Sequence, residues 1–318
     1  MSGLIVNGDT SGISLAAERL IAGGLVAIPT ETVYGLGADA TQVHAVSRIF
    51  TVKNRPPNHP LIVHIANAEF LDYWAIARRP EVNQLIDHFW PGPLTLILDC
   101  SEKFSYLTGG QKKIGLRNSS HPIFASLMDK FTSSGGKGIA APSANRFGQV
   151  SPTNAAEVNI ELGKYMEFEK DLILDGGDSD LGIESTIIDC TLERFEILRP
   201  GPITTSELAE IVGYLPIRKF QSSTRHSGGL DSHYQPKTPV TLNSKPTIGD
   251  ALIALDSETT PEGVIRLSCP RDAKEFAQGL YKAFRRADEL GVKRLCVSFP
   301  VENPEFEAIL DRVSKAAQ

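Results

Sequence analysis

A short apolar strand near the start of the chain is followed by hydroxyl groups and a carboxylate. Residues 25–28 favour a strand, and Pro29 ends it because proline cannot donate a ladder hydrogen bond. The polar residues that follow are Thr30, Glu31, Thr32 and Tyr34. Gly35 and Gly37 then predict a turn. Such a loop after a buried strand is where α/β proteins bind ligands, although a strand-to-helix turn with capping threonines is the simpler interpretation.

Two cations lie on a stiff segment further along the chain. A helix predicted over residues 42–52 runs into Lys53 and Arg55, and the consecutive prolines Pro56 and Pro57 end that helix. We therefore expect both cations on a fixed surface turn, so that truncating Arg55 abolishes activity without unfolding the protein. A cation held this way suits phosphate binding because little entropy remains to be lost. A solvated charge pair is the alternative interpretation.

Further polar side chains lie at the ends of other predicted strands. They are Arg117, Ser143, Asn145, Ser185 and Arg199. Because several strand ends can converge on one edge of a sheet, these residues are expected to line a common site.

The sequence lacks the motifs of several large enzyme classes. It contains no GxxxxGK[ST], GxSxG, HExxH or protein-kinase signature. The remaining set of hydroxyls, an amide and several cations has no evident covalent nucleophile. Such a set suits anion binding and the positioning of two substrates, and nucleotidyl transfer requires little more.

The order of predicted elements indicates an α/β protein with two domains. Strands at 185–190 and 195–198 are close enough only for a hairpin, so the sheet of the large domain is expected to be mixed. After a polar segment, residues 251–317 favour a small Rossmann-like α/β domain without GxGxxG. We predict a large domain over 1–212, a linker over 213–239 and a small C-terminal domain over 240–318.

The linker combines a flexible end with a stiff one. Ser227-Gly228-Gly229 permits motion, and Pro236 stiffens the other end. We hypothesise that residues 221–239 form a lid over the nucleotide, with His233 touching the phosphates. A solvated spacer is the alternative.

Composition limits the environment and the partners. The 318 residues carry a net charge of −6, which does not favour nucleic-acid binding as the main task, and their four cysteines form no CxxC pair. The first residues have no basic n-region and no long apolar run, so we expect a cytoplasmic protein without a signal peptide or membrane span.

Several of these motifs occur together and in order. They are Pro29-Thr30-Glu31-Thr32-Val33-Tyr34-Gly35-Leu36, Lys53-x-Arg55-Pro56, Pro142-Ser143-Ala144-Asn145 with Ser151-Pro152-Thr153, and Ser185-Thr186 before Arg199-Pro200-Gly201. Together they resemble the YrdC-like family of threonylcarbamoyl-adenylate synthases. The sequence Ser232-His233-Tyr234-x-Pro236 and the small domain resemble the longer, two-domain branch. The resemblance covers nearly the whole chain and implies a YrdC-like large domain with a ligand groove.

The resemblance implies a reaction. L-threonine, bicarbonate and ATP give threonylcarbamoyl-adenylate and pyrophosphate, with magnesium as the expected metal. The product supplies threonylcarbamoyladenosine synthesis in tRNA, so a downstream tRNA threonylcarbamoyl transferase is the implied partner. The carbamate of threonine is itself an anionic nucleophile, which agrees with the lack of a catalytic Ser or Cys.

The resemblance also assigns residues to two groups. The nucleotide group is Lys53, Arg55, His59, Ser143, Asn145, Ser151, Arg199 and His233, of which Lys53 and Arg55 are the expected catalytic residues. The threonine group is Thr32, His64, Arg117, Ala141 and Ser185, with Arg117 a natural partner for the carboxylate. Tyr34 is a further pocket candidate. No protein residue is assigned to a metal.

Two positions depart from the family pattern. His59 stands where an Asn is usual, and Lys113 stands where a small or hydroxylated residue is usual. These departures put the nucleotide contact of His59, and any ligand contact of Lys113, in doubt.

Two other functions remain open at this point. Carbamoyl-adenylating enzymes of hydrogenase maturation share the domain but have much larger chains with zinc-finger-like cysteines. A double-stranded-RNA-binding module is the second alternative, because a local basic groove is compatible with a negative net charge.

Overall fold

Two separate sheets organise the computed structural model, which describes residues 4–76, 78–218, 224–229 and 234–318. His233, predicted to touch phosphate, lies outside these described residues.

The large sheet has eleven strands in the described ranges. In spatial order they are β1 (Ile5–Asn7), β8 (Leu172–Asp175), β2 (Val26–Ile28), β3 (Gly35–Asp39), β7 (Ile139–Ala140), β4 (Ile62–His64), β6 (Lys113–Arg117), β5 (Leu94–Asp99), β9 (Thr186–Asp189), β10 (Glu196–Arg199) and β11 (Ile217–Arg218). The sheet is mixed, as predicted: β9 and β10 pair antiparallel as a hairpin, whereas β4 and β6 pair parallel.

Helices connect these strands. They are α1 (Thr10–Ile21), α2 (Val43–Lys53), α3 (Leu71–Trp74), α4 (Pro80–Phe89), α5 (Ser105–Thr108), α6 (Pro122–Ser133), α7 (Ala155–Leu162) and α8 (Thr205–Val212), with 3₁₀ turns at Ala68–Phe70, Glu102–Phe104 and Gly163–Tyr165. α4 has proline at its first position and buries Val82, Leu85 and Ile86 on one face, as the 3.6-residue period predicts.

The small sheet is entirely parallel. Its strands, in spatial order, are β12 (Val240–Leu242), β15 (Leu295–Val297), β13 (Ala251–Ile253) and β14 (Ile265–Ser268). The accompanying helices are α9 (Ala273–Leu290) and α10 (Glu307–Ala316), with a 3₁₀ turn at Pro304–Phe306. Together they confirm the predicted small α/β domain.

The turn predicted from Gly35 and Gly37 is wrong. Both glycines lie in β3, which pairs antiparallel with β2. A Cβ on Gly37 would lie 2.5 Å from Ile28 Cδ1 and 3.0 Å from the carbonyl oxygen of Val26. Glycine is therefore needed here for close packing around the strand and not for a turn.

Other predicted boundaries shift because capping residues were missed. The apolar period predicts a first helix over residues 14–22, but α1 begins at Thr10, since Asp9 accepts hydrogen bonds from two backbone N–H groups of the first turn. The sequence also predicts a helix from Ser151 to about Leu162, but α7 begins at Ala155 behind its cap Asn154.

Other short strands were also missed, among them β11 and β12. β11 lies inside the predicted linker and adds to the large sheet, while β12 begins the small one. Two or three residues are too few for a periodic pattern.

One apolar core spans both domains. Val33, Val150 and Ile183 of the large domain pack in the same buried cluster as α9 residues such as Phe276 and Leu280. The approach is close, because a Cβ on Gly182, whose φ is +73°, would lie 2.7 Å from the carbonyl oxygen of Ala277. The two domains therefore share a packed interface.

We predict that Gly37→Ala destabilises the protein. The added methyl group collides with Ile28 and the Val26 carbonyl, and overpacking of this kind costs about 1–3 kcal/mol. Gly279→Ala is the matched control, because it lies within α9 and its new Cβ would be 3.2 Å from the Ser268 side chain. Urea unfolding of both variants tests this, and an unchanged free energy of unfolding for Gly37→Ala would contradict it.

Candidate functional site

A pocket at the strand ends collects most of the predicted residues, and we call it the central pocket. Those in its lining are Thr32, Arg55, His64, Arg117, Ala141, Ser143, Ser185 and Arg199, together with Tyr34. The other lining residues are Thr30, Val33, Gly35, Ile62, Pro142, Glu184, Ser227, Gly228 and Tyr234. Among the described candidates, those outside this lining are Lys53, His59, Asn145 and Ser151.

Arg117 is fixed at the end of β6 by three groups. Its guanidinium forms an ion pair with Glu31 at 2.7 Å and donates to Thr32 Oγ1 at 2.9 Å and, more weakly, to the carbonyl of Gly92 at 3.4 Å. Glu31 also accepts a hydrogen bond from Ser119. Burial alone would raise the pKa of Glu31, but Arg117 and Ser119 outweigh it and leave that pKa below its usual value. The side chain of Arg117 is thus held ready for an anion.

Two residues beside this arginine complete one side of the pocket. Thr30 Oγ1 lies 2.8 Å from Thr32 Oγ1 and donates to the carbonyl of Val33, which fixes the loop after β2. Buried His64 contacts the Phe124 ring at 5.2 Å between centroids. Burial, assisted by Arg117, lowers the pKa of His64 to about 3, so its imidazole is neutral at physiological pH.

Arg55 is buried and does not lie on the surface, where the turn predicted from Pro56 and Pro57 would have placed it. It is 7% exposed, donates to the carbonyl of Pro60 at 2.9 Å and lies 5.6 Å from the Phe147 ring centroid. Stacking on an aromatic face and a nearby carbonyl make burial of this weakly hydrated cation possible. Burial lowers the pKa of Arg55 to about 10, so it remains charged at neutral pH.

Lys53 contacts backbone and not the pocket. At the end of α2 it is fully buried, and its ammonium donates to the carbonyls of Ser143 and Asn145, both at 2.5 Å. Burial, with the nearby Arg55, lowers the pKa of Lys53 well below its usual value. Asn145 donates to the carbonyls of Arg146 and Gln149. Lys53 therefore fixes the loop that carries Ser143, while its phosphate contact stays a prediction.

Ser185 and Arg199 hold each other on the opposite side. Arg199 donates to the Ser185 carbonyl through Nε at 3.0 Å and Nη2 at 2.9 Å, and its Nη2 lies 3.1 Å from Ser185 Oγ. Thr95 Oγ1 lies 2.8 Å from the same hydroxyl. The other nitrogen of Arg199 donates to the carbonyl of Ser227 at 3.2 Å.

Ser151 contacts the pocket through Glu184. Its hydroxyl donates to Glu184 Oε1 at 2.6 Å, and Glu184 precedes Ser185 in the pocket lining. Burial alone would raise the pKa of Glu184, but Arg312 and Arg199 outweigh it and lower the pKa to about 2. This carboxylate is therefore ionised at neutral pH.

The two departures from the family pattern have different surroundings. His59 packs against Phe147, with 5.1 Å between ring centroids, and lies outside the pocket lining. Lys113 forms an ion pair with buried Asp189 and contacts Thr224 Oγ1, each at 2.9 Å. Lys113 thus anchors the linker to the large domain, and its role as a ligand contact is not supported by the geometry.

The described parts of the linker lie against the pocket. Arg225 donates to the carbonyls of Asn58 and Gly109, and Ser227 donates to the carbonyl of Pro60. Tyr234 is buried in the pocket lining. These contacts are compatible with the lid hypothesis, which stays a prediction.

Sequence reasoning missed Glu184 and its partners in the small domain. Glu184 stood beside Ser185 in the motif, so its position was a usable signal. Arg312 and Tyr281 both bind its carboxylate from 128 and 97 residues away, and nothing in the local pattern indicates such pairs.

The pocket thus brings three arginines from different strands and loops around a common space. Arg55, Arg117 and Arg199 are each at least nine-tenths buried and already fixed by protein acceptors. Three preorganised cations with several hydroxyls can bind carboxylate and phosphate groups without reorganising.

Comparison with known proteins identifies the family. A family profile described as "Telomere recombination" (Sua5, YciO and YrdC proteins) matches residues 18–201, and one described as "Threonylcarbamoyl-AMP synthase, C-terminal domain" matches 203–318. The threonylcarbamoyl-AMP synthase of Pyrococcus abyssi is 36% identical over 327 residues, which cover 96% of this chain and 94% of the relative. This chain belongs to the threonylcarbamoyl-AMP synthase family. The predicted family and enzyme class are confirmed.

Further members agree in sequence and in structure. The threonylcarbamoyl-AMP synthase of Bacillus subtilis is 36% identical over 329 residues, covering 96% of this chain and 92% of the relative. The crystal structure of P. abyssi Sua5 complexed with L-threonine superposes with a TM-score of 0.87 at 33% identity, covering 99% of this chain and 97% of that one. The predicted two-domain fold is confirmed.

The described helices include none whose length and apolar character would let it cross a membrane.

We predict that acid destabilises the protein in part through His64. Its pKa of about 3 when folded lies below the unfolded value of about 6.5, so the unfolded chain binds more protons between these values and stability falls as the pH drops through 6.5. His64 is therefore expected to make the free energy of unfolding about 2 kcal/mol lower at pH 5 than at pH 8.

Urea unfolding at both pH values tests this in His64→Gln, with His88→Gln, which removes an exposed histidine, as the control. In His64→Gln, the free energy of unfolding should differ less between pH 5 and pH 8 than in the unaltered protein. An unchanged difference in this free energy would contradict the low pKa assigned to His64. Half-buried His226, whose pKa falls to about 4, also contributes, so part of the pH dependence of stability remains in His64→Gln.

Proposed function

We propose that the central pocket is the active site of this threonylcarbamoyl-AMP synthase and holds L-threonine, bicarbonate and ATP together. The observation that carries this proposal is the meeting of Arg55, Arg117 and Arg199 in one buried pocket. Each arginine is fixed by different protein groups, so each can serve a different anionic group of the substrates.

The threonine subsite in this proposal lies beside Arg117. Its guanidinium binds the substrate carboxylate, and Thr32 and Ser185 supply hydroxyl groups. Neutral His64 and the wall at Ala141 limit the space for the side chain of the amino acid. The structure of P. abyssi Sua5, whose fold matches, was solved as a complex with L-threonine, which supports threonine as a ligand of this fold.

The nucleotide subsite in this proposal lies on the side of Arg55 and Arg199. Both cations meet the triphosphate, with Ser143 as a further donor. Lys53 and Asn145 act by holding the 143–145 loop, and Ser151 acts through Glu184. Lys53 reaches phosphate only if ATP displaces the carbonyls that its ammonium now contacts.

The reaction needs no covalent enzyme intermediate. The amine nitrogen of threonine attacks the carbon of bicarbonate, and loss of water leaves a carbamate. A carbamate oxygen then attacks the α-phosphorus of ATP, the bond between that phosphorus and the bridging oxygen breaks, and pyrophosphate leaves. The protein contributes orientation and stabilisation of the negative charge that develops on the phosphate oxygens.

We propose that magnesium enters bound to the triphosphate. Mg²⁺ commonly keeps several waters and is held largely by substrate phosphates. The carboxylate among the described lining residues is Glu184, and both its oxygens already accept hydrogen bonds from protein groups. This donor set does not fit an ion held by the protein alone.

The product defines the proposed partner and location. Threonylcarbamoyl-AMP is a mixed anhydride that hydrolyses readily, so we propose direct use by a tRNA threonylcarbamoyl transferase in the cytoplasm. Residues 1–212 form the catalytic domain in this scheme, 213–239 the lid over the mixed anhydride and 240–318 the small domain. RNA binding stays a prediction without a contact among the described residues to support it.

Omission of substrates tests the function. ATP consumption is measured with the complete mixture and with threonine or bicarbonate left out, and the adenylate is detected by mass. We expect the adenylate and pyrophosphate only in the complete mixture. ATP turnover that is independent of threonine would contradict the proposal, and so would a steep salt dependence of RNA binding with no turnover.

Arg117→Met and Arg55→Met separate the two subsites. Losing a hydrogen bond to a charged group costs about 1.5–3 kcal/mol, or roughly 10- to 150-fold in affinity. We expect Arg117→Met to weaken threonine binding by this factor with a smaller effect on ATP, and Arg55→Met to do the reverse. Calorimetric titration with each ligand alone measures both.

The exposed Arg286, which pairs with Glu289, gives the control Arg286→Met. Because Arg55 and Arg117 are buried, the melting temperature of each variant is recorded first, and the comparison uses folded protein. Equal losses for both ligands in both variants would contradict the separate subsites.

A further inference from the structure

The small domain places a buried arginine next to the pocket. Arg312 lies on α10 and is completely buried. Its guanidinium donates to Glu184 Oε2 at 2.9 Å and to the carbonyl of Pro200 at 2.9 Å, and it pairs with Asp311 at 2.7 Å. It also lies 5.3 Å from the ring centroid of Tyr234 in the linker. One side chain of the small domain therefore contacts both the large domain and the linker.

Glu184 receives donors from both domains. Ser151 of the large domain binds Oε1 at 2.6 Å, whereas Tyr281 of α9 binds Oε2 at 3.0 Å beside Arg312. The hydroxyl of Tyr281 and its ring are fully buried in the core that the two domains share. Both carboxylate oxygens are thus fixed, and their orientation depends on residues of the small domain.

The same glutamate begins the segment that holds Arg199. Glu184 is bonded to Ser185 in the chain, and the carbonyl of Ser185 accepts two N–H groups of Arg199. Arg312 Nη2 also lies 3.3 Å from the backbone carbonyl of Glu184. A shift of Glu184 would therefore move Ser151 and Arg199 together.

We propose that Arg312 and Tyr281 are positioning residues of the active site, acting through Glu184 on Ser151 and Arg199. The small domain thereby completes the nucleotide side of the pocket and is more than a tethered accessory. This inference rests on the proposed function for the identity of the ligand. It requires no contact between either residue and the substrates.

A purely structural role predicts something different. Another pair across the domain interface, Lys282 with Asp178 at 2.8 Å, is partly exposed and does not involve Glu184. If docking alone mattered, breaking either contact would lower stability without a selective effect on the nucleotide. Lys282→Met is therefore the matched control for loss of an interface contact.

The first test uses Tyr281→Phe and Arg312→Lys, which keep the ring and the charge respectively. ATP affinity is measured by calorimetry without turnover, and KM and kcat are measured for ATP and threonine. Mutating a residue that orients the ligands of a metal typically lowers affinity or activity by about 10- to 100-fold. By analogy, we expect roughly tenfold weaker ATP binding for Tyr281→Phe. We expect the KM for threonine to change by less than threefold.

Arg312→Met should weaken ATP binding more than Arg312→Lys does, because the lysine variant keeps the positive charge. If Arg312→Met does not fold, the double variant Arg312→Met/Glu184→Gln removes both charges at once and should fold while binding ATP poorly. ATP affinity and kinetic constants equal to those of Lys282→Met in every folded variant would overturn the proposal. Equal losses for ATP and threonine would overturn it as well.

The two proposals fail in distinguishable ways. If the unaltered protein binds ATP but forms no adenylate, the proposed function fails while calorimetry still tests the positioning role. If adenylate forms normally and the folded variants bind ATP as tightly as the unaltered protein, only the positioning role fails.

Discussion

A carboxylate removed from water must be held by donors on every side, and Glu184 meets this requirement across a domain boundary. Leaving such a charge unpaired is costly, whereas pairing it fixes its geometry. Its donors come from the large domain through Ser151 and from the small domain through Tyr281 and Arg312. The part of the pocket lining that Glu184 forms is therefore held by contacts from both domains.

The three arginines of the pocket are also buried charges that protein groups hold in place. Each has part of its guanidinium bound by protein acceptors, such as the Pro60 carbonyl for Arg55 and the Ser185 carbonyl for Arg199. Much of their side-chain entropy is therefore lost before any substrate binds, and their three positive charges line one pocket. This arrangement suits a reaction in which the carbamate, the triphosphate and the amino-acid carboxylate all carry negative charge.

Much of the architecture could be predicted because it is recorded in local patterns. The span of α4 follows from its proline and its apolar period, while the hairpin of β9 and β10 follows from the short connection between the two strands. Arg117, Ser143, Ser185 and Arg199 also line one pocket, as the convergence of strand ends predicts, whereas Asn145 lies outside its lining. The patterns failed where tertiary contacts decide the outcome.

Three residues illustrate that failure. Gly37 was interpreted as a turn residue, although it serves close packing against Ile28, and both uses of glycine look alike in a sequence. Arg55 was expected on a surface turn because two prolines follow it, but Phe147 and the Pro60 carbonyl allow its burial. Arg312 bears no local sign of its role, since Glu184 lies 128 residues away in the chain.

The core shared by Val33, Val150 and α9 has a thermodynamic consequence. When domains meet through small polar contacts, they melt independently, but here separation would expose apolar side chains and uncover the Glu184 charge cluster at once. The backbone of α9 also approaches Gly182 too closely to slide. The two sheets should therefore unfold as a single cooperative unit, so that a calorimetric trace of this two-domain chain has one transition and not two.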